Sequence, residues 1–301
     1  MAARMTEKEN LMKVIHGEIP EWVPRISIAQ RQVMPAFTLF GSTNEKGNRV
    51  DMFGVEYVAT KDTGGMALPV PNEFILDDVT NWRDVIKLPD ISDLDWEAIA
   101  KKDLEKIDRN EYAVALGTNG YFLNLMNFMG FTEGLCAMYE EPEAVKELFE
   151  YMSEFDCAML RAGIEAYHPD IVGMGDDIAT ANDPFVSLPM YRELVRPYHA
   201  RIAAIAKEYG LPVDMHCCGH CELLVDDWVE FGVNMWNPAQ VTNDLLGIKA
   251  KYGNKLILTG CWDSQGPVAW PSATEEMVKQ AVRDCIDTYA PGGGFIFWAS
   301  A

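Results

Sequence analysis

Seven consecutive residues, Met215-His216-Cys217-Cys218-Gly219-His220-Cys221, concentrate the reactive side chains of this chain. They hold three of its seven cysteines and two of its five histidines. A short apolar run, Leu211 to Val213, precedes them, and a helical pattern, Glu222 to Phe231, follows. Side chains on a strand alternate with a period of two, so His216 and Cys218 share a face if both lie on it. A nitrogen and a sulfur donor so placed at a strand end form a compact pair that suits zinc. A catalytic zinc needs at least one more protein ligand and keeps one position open. Cys261, which ends the run LILTGC, is the expected third ligand, with Glu222, Asp176 and Asp177 in reserve. Alternation turns Cys217 the other way, and His220 and Cys221 lie past the strand end. These three are expected bystanders.

Other strand ends carry further candidates. Asp176 and Asp177 close the run DIVGMGDD and are the expected general acid/base pair. Adjacent strand residues point opposite ways, so one of the two should face a cavity. Trp236, Trp262 and Trp298 lie near the ends of three successive apolar runs. With Tyr121, Phe128 and Asn119 they are expected to line a flat apolar substrate pocket.

The elements that must position these groups alternate. The segment 6–17 reads as an opening helix, with Thr6 and Glu9 as a capping box and Gly17 as its stop. Strand patterns follow at 23–28 and 51–60, then at 112–120, 170–177, 211–218, 233–238, 255–261 and 293–300. Helical patterns separate them, the clearest at 95–109, 141–167, 188–210 and 222–231. About eight strands alternating with helices predict an α/β fold. The expected architecture is a single (β/α)8 TIM barrel over residues 1–301 with an N-terminal helical extension. A doubly wound sheet would want an early Gly-rich phosphate loop, and none is present.

Composition narrows the function class. Of 301 residues 49% are apolar, enough for a large core. No apolar run approaches the length of a membrane span, and the charged N-terminus has no secretory pattern. A formal charge of −21 argues against nucleic acid and anionic membranes as partners. Seven cysteines, three of them crowded together, fit a reducing cytoplasm and metal or thiol chemistry rather than a disulfide framework.

Read in order, TEKENLMKVIHGEIPEWVP, DMFGVEY, GDDIAT, MHCCGH, LTGCWD and GGGFIF resemble the uroporphyrinogen decarboxylase superfamily along nearly the whole chain. The resemblance implies a (β/α)8 barrel with its site at the C-terminal mouth. True decarboxylases of that superfamily grip porphyrinogen carboxylates with paired arginines after the first strand. Here the stretch is ISIAQRQVMP, with Arg31 alone. The corrinoid-dependent methyltransferase branch is similar to this chain in His-x-Cys-Gly, carried by His216, Cys218 and Gly219, and uses zinc. Thiol-methylating members complete the zinc site with a cysteine after the last strand, where this chain reads FIFWASA.

The resemblance therefore implies an anaerobic O-demethylase type of methyltransferase. It would move a methyl group from a methoxylated, aromatic substrate to the Co(I) corrinoid of a partner protein. Zinc would be held by His216, Cys218 and Cys261. Two alternatives stand beside it: a methylcobamide:thiol methyltransferase of coenzyme M type, and a metal-free porphyrinogen decarboxylase.

Overall fold

A computed structural model describes residues 5–38, 42–62 and 64–299. Its strands are β1 Gln30–Val33, β2 Ser42–Thr43, β3 Arg49–Val50, β4 Glu56–Ala59, β5 Ala67–Pro69, β6 Ala113–Gly117, β7 Ile171–Gly175, β8 Val213–His216, β9 Met235–Ala239, β10 Ile257–Gly260 and β11 Phe295–Phe297. Seven of them form one parallel sheet in the order β1-β6-β7-β8-β9-β10-β11. Parallel neighbours need crossover connections, and helices supply them, from Pro142–Tyr167 to Glu275–Tyr289. A parallel bridge between Arg25 and Phe297, with Phe297 N–H donating to Pro24, links β11 to the chain just ahead of β1.

This differs from the expected eight strands at two places. Of the stretch 23–28, only Arg25 makes a bridge; Ile26–Ala29 is a helical turn, and the paired strand begins at Gln30. The stretch 51–60 supplies β4, which belongs to a separate antiparallel sheet in the order β2-β3-β4-β5. That sheet is inserted between β1 and β6 and leaves seven strands in the parallel sheet. The helical stretch 188–210 is also divided, into Leu188–Leu194 and Arg196–Glu208. Pro197 has no N–H to donate to the Glu193 carbonyl, so the helical ladder is interrupted there, and proline is tolerated in the first turn of the helix that restarts at Arg196.

Alternation along the parallel strands separates two cores. Ala113 and Ala115 of β6, Ile171 of β7, Met235 of β9, Ile257 of β10 and Ile296 of β11 form one cluster inside the curled sheet. Leu11 and Val14 of the first helix, Glu7–Ile15, close this cluster from below. The capping box expected there is present: Glu9 N–H donates to Thr6 Oγ1 and Thr6 N–H to the Glu9 carboxylate. The intervening residues Val114, Leu116, Val172, Trp236, Leu258 and Phe295 belong to the larger core beneath the helices. Among the described residues no helix is long and apolar enough to cross a membrane.

Candidate metal centre

Moving up the inward rows from that apolar floor, the residue types change. β7 continues from Ile171 to Gly173 and Gly175, and β9 from Met235 to Asn237. β10 continues from Ile257 to Thr259, and β8 contributes Asp214 and His216. In the parallel register His216 stands opposite Asn237. The His216 ring lies with Nδ1 2.7 Å from Asn237 Oδ1. Asn237 Nδ2 donates to Asp214 Oδ1 at 2.8 Å, which leaves Oδ1 of the amide as the acceptor toward the ring. His216 Nδ1 therefore carries the proton, and Nε2 presents a lone pair. A metal-ligating histidine ordinarily has its tautomer fixed in this manner.

That lone pair faces two further donors. Cys218 Sγ is 3.8 Å from His216 Nε2, and Asp177 Oδ1 is also 3.8 Å from it. The three donor atoms lie within 4.8 Å of one another. Asp177 is anchored by the Cys218 backbone N–H, which donates to Oδ1 at 2.8 Å. The His216 and Asp177 side chains are 39% and 38% exposed, so the group can be reached from solvent. Burial and the neighbouring Asp177 carboxylate push the Cys218 thiol up to about 12. A thiolate and a carboxylate held this close disfavour each other, and a cation between them removes that penalty.

The loops carrying these residues are pressed together. Gly219 has φ +96°, and a Cβ there would collide with the carbonyl oxygens of Ala179 and Thr180. His220 N–H donates to Thr180 at 2.7 Å, and Gly219 N–H to Gln240 Oε1 at 2.5 Å. Three strand-end loops thus hold Cys218 in place. A cleft of about 300 Å³ opens beside it, lined by Gly219, Gln240, Thr242, Trp262, Asp263 and Gln265, among others.

Cys261, expected as the third ligand, is not in this group. Gly260 and Cys261 have φ of +114° and +54°, which breaks the alternation just where the strand ends. The buried Cys261 side chain belongs to the core beneath the helices, where Cys285 donates a hydrogen bond to its carbonyl. Asp177, counted as a reserve ligand and as an acid, supplies the third donor atom of the group. Its neighbour Asp176 is buried, and its carboxylate accepts the N–H groups of Tyr121, Phe122 and Leu123 at 2.7–2.9 Å. His199 Nε2 lies 3.1 Å from the same carboxylate. Asp176 therefore caps the helix Phe122–Met129 and does not face the mouth.

The aromatic candidates divide. Trp298 has its ring 6.3 Å from that of His216, and Trp262 lines the cleft. Tyr121 is fully buried against Phe149 and Tyr198. Trp236 is fully buried against Trp228, its N–H donating to the Cys217 carbonyl. Phe128 is buried in the same core. Asn119 points its amide at the buried Asp156, 2.6 Å away. Of the other residues of the motif, Cys217 and Cys221 are buried with sulfurs 3.4 Å apart, and His220 Nδ1 lies 2.8 Å from the Thr242 carbonyl. Asn237 occupies one of the strand ends at which functional groups are expected, whereas Asp214, its partner in fixing the His216 tautomer, is not among the expected site residues. The only sequence signal for Asp214 is a polar residue in an inward row that should carry apolar ones.

Comparison with solved structures finds the same fold in a methyltransferase from Methanosarcina mazei. The TM-score is 0.63 and the identity 13%, covering 98% of this chain and 92% of that one. No curated protein matches the sequence. Residues 62–300 match the family described as uroporphyrinogen decarboxylase (URO-D). That match spans all but the first strand of the parallel sheet and every residue of the Asp177–His216–Cys218 group, and the chain belongs to the uroporphyrinogen decarboxylase family.

Proposed function

We propose that this protein is a zinc-dependent methyltransferase that moves a methyl group from a methoxylated aromatic compound to the Co(I) corrinoid of a partner protein. The observation that carries the reading is the open group of Asp177, His216 and Cys218, one oxygen, one nitrogen and one sulfur donor within 4.8 Å. The donor set fits zinc: three protein ligands leave one position for substrate. His216 Nε2, Cys218 Sγ and an Asp177 carboxylate oxygen would hold the ion. Bound there, zinc would supply Lewis acidity to the ether oxygen and lower the barrier to phenolate departure.

The residues of the chain do the rest. Asn237 and Asp214 keep the His216 lone pair aimed at the site. Trp298 and Trp262 offer faces for an aromatic ring and exclude water from one side of it. Asp177 serves as a ligand in this reading rather than as the general acid. The shallow, accessible position of the group suits an acceptor delivered by a second protein. In the same reading the Arg25–Phe297 bridge closes the parallel sheet into the barrel of the family.

Decarboxylation of a porphyrinogen is disfavoured by one observation. Arg31, the cation of the first-strand stretch, points away from the cavity. Its guanidinium lies 3.8 Å over the Tyr112 ring and donates to the Ser27 and Gln30 carbonyls. The test is metal analysis with a methyl-transfer assay, using methoxyarenes and a reduced corrinoid protein and reading the cobalt spectrum. Zinc at one per chain and donor-dependent conversion of the spectrum are expected. Full activity in a metal-free preparation would sink the reading.

A further inference from the structure

Charge is distributed unevenly around the mouth. The connections that leave the C-terminal ends of six strands are 118–121, 176–187, 217–221, 240–244, 261–274 and 298–299. None of them contains a lysine or an arginine. Between Lys207 and Lys249, the stretch that contains His216 and Cys218, there is no cationic side chain at all. The same connections carry Asp177, Asp183 and Asp263, and among the described residues no Lys or Arg forms an ion pair with any of the three. The cleft beside Cys218 is lined by polar and aromatic groups and by Asp263, again without a cation. The long connection after β1 does carry Lys46, Arg49 and Lys61, but these belong to the separate antiparallel sheet and its turns. There Lys46 is tied to Glu73 and Glu56.

A bound metal would not reverse this balance. A divalent ion held by one thiolate, one carboxylate and a neutral imidazole makes a centre of zero net charge. An anionic substrate would lose hydration on entering and find Asp263 on the cleft wall with no lysine or arginine there to pair with. An uncharged ring would lose little and gain the tryptophan faces.

We infer that the site takes methoxyarenes without a carboxylate, and that its loop rim rejects anionic methyl donors. This rests on the methoxyarene reading above and adds the charge class of the substrate. It also disfavours a thiol acceptor that carries an acidic group.

The test is calorimetric titration of the zinc-loaded full chain with two ligands. One is 2-methoxyphenol, and the other is the same ring bearing a carboxylate, 4-hydroxy-3-methoxybenzoate. Near pH 6.5, about two units above the carboxylate range, only the second is an anion. The uncharged ligand is expected to bind at least about tenfold more tightly, and added salt should narrow the gap. Gln265→Lys, which places a cation on the cleft, should shift the preference toward the carboxylate by about tenfold. Equal or tighter binding of the carboxylate by the unaltered protein would overturn the inference while leaving a methoxyarene site in place. Binding of neither ligand would overturn both.

Discussion

The floor and the mouth of the curled sheet are made by the same strands a few residues apart, and they follow opposite rules. On the floor Ala113, Ala115, Ile171, Met235, Ile257 and Ile296 form an apolar cluster, which Leu11 and Val14 complete. At the mouth the inward positions turn to Gly173, Gly175, Asp214, His216, Asn237 and Thr259. Thr259 Oγ1 is buried there without a hydrogen-bond partner. The floor has used all its packing capacity, whereas the mouth retains hydrogen-bonding capacity and exposed donors. Stability and chemistry should therefore separate cleanly along the strand direction.

Substitutions can break that separation or sharpen it. The largest effect is expected at the mouth. Cys218→Ala should lower metal content and methyl transfer by at least about a hundredfold while the unfolding midpoint barely moves. Metal analysis beside a denaturant melt reads both quantities. A large loss of stability with activity retained would mean that the mouth is merely core. At the floor the reverse is expected. Leu11→Ala should destabilise by about 2–5 kcal/mol in chemical denaturation, with metal content per folded molecule unchanged.

Asn237→Ala tests the support of His216 within the mouth. It removes the acceptor that fixes the His216 tautomer, so zinc affinity should fall by about 10–100-fold in competition with a chelating dye. Unchanged affinity would show that the tautomer is set elsewhere. Asp156, on the helix Pro142–Tyr167, lies outside both regions and provides the control. Burial holds its carboxyl up at about 7. The unfolded chain loses that proton near pH 4 and the folded chain only near 7. Between those values the folded state binds more protons, and stability falls as pH rises, by about 1.4 kcal/mol per unit at most. Asp156→Asn should abolish this slope, so its advantage in melting temperature should grow from pH 5 to pH 8. A constant difference would refute the assignment. The smallest effect on metal is expected from Cys261→Ser, which should leave zinc stoichiometry untouched because that thiol lies under the helices. Loss of the metal would restore Cys261 as a ligand.

Much of this layout was legible in the sequence, and the failures have local causes. The period of two pairs His216 with Cys218, and the two are brought together, although β8 ends at His216 and Cys218 comes from the loop beyond it. The opening helix could be read from its capping box. The third donor of the group is legible only as the reserve candidate Asp177, because the two positive φ angles that turn the chain at Gly260 and Cys261 leave no mark on the strand pattern. The choice between Asp176 and Asp177 needed the helix start at Phe122, which is distant in sequence and claims Asp176 as its cap. Tyr121 and Trp236 are amphipathic residues, and composition alone does not say which side of a sheet will use them. The inserted antiparallel sheet shows the same strand periodicity as the main sheet, so 51–60 was counted with the wrong partners.

The helix that plugs the floor has a consequence for how the chain reaches this state. It leaves the ribosome before every strand of the sheet, yet Leu11 shares one cluster with Ile296 of β11, the last of those strands. Its apolar face has no complete partner until β11 has been synthesised. The closing contacts span nearly the whole chain, and such long loops make a slow final folding step. Until that step, the floor of the sheet is exposed apolar surface, and the nascent protein is most prone to aggregation during this interval.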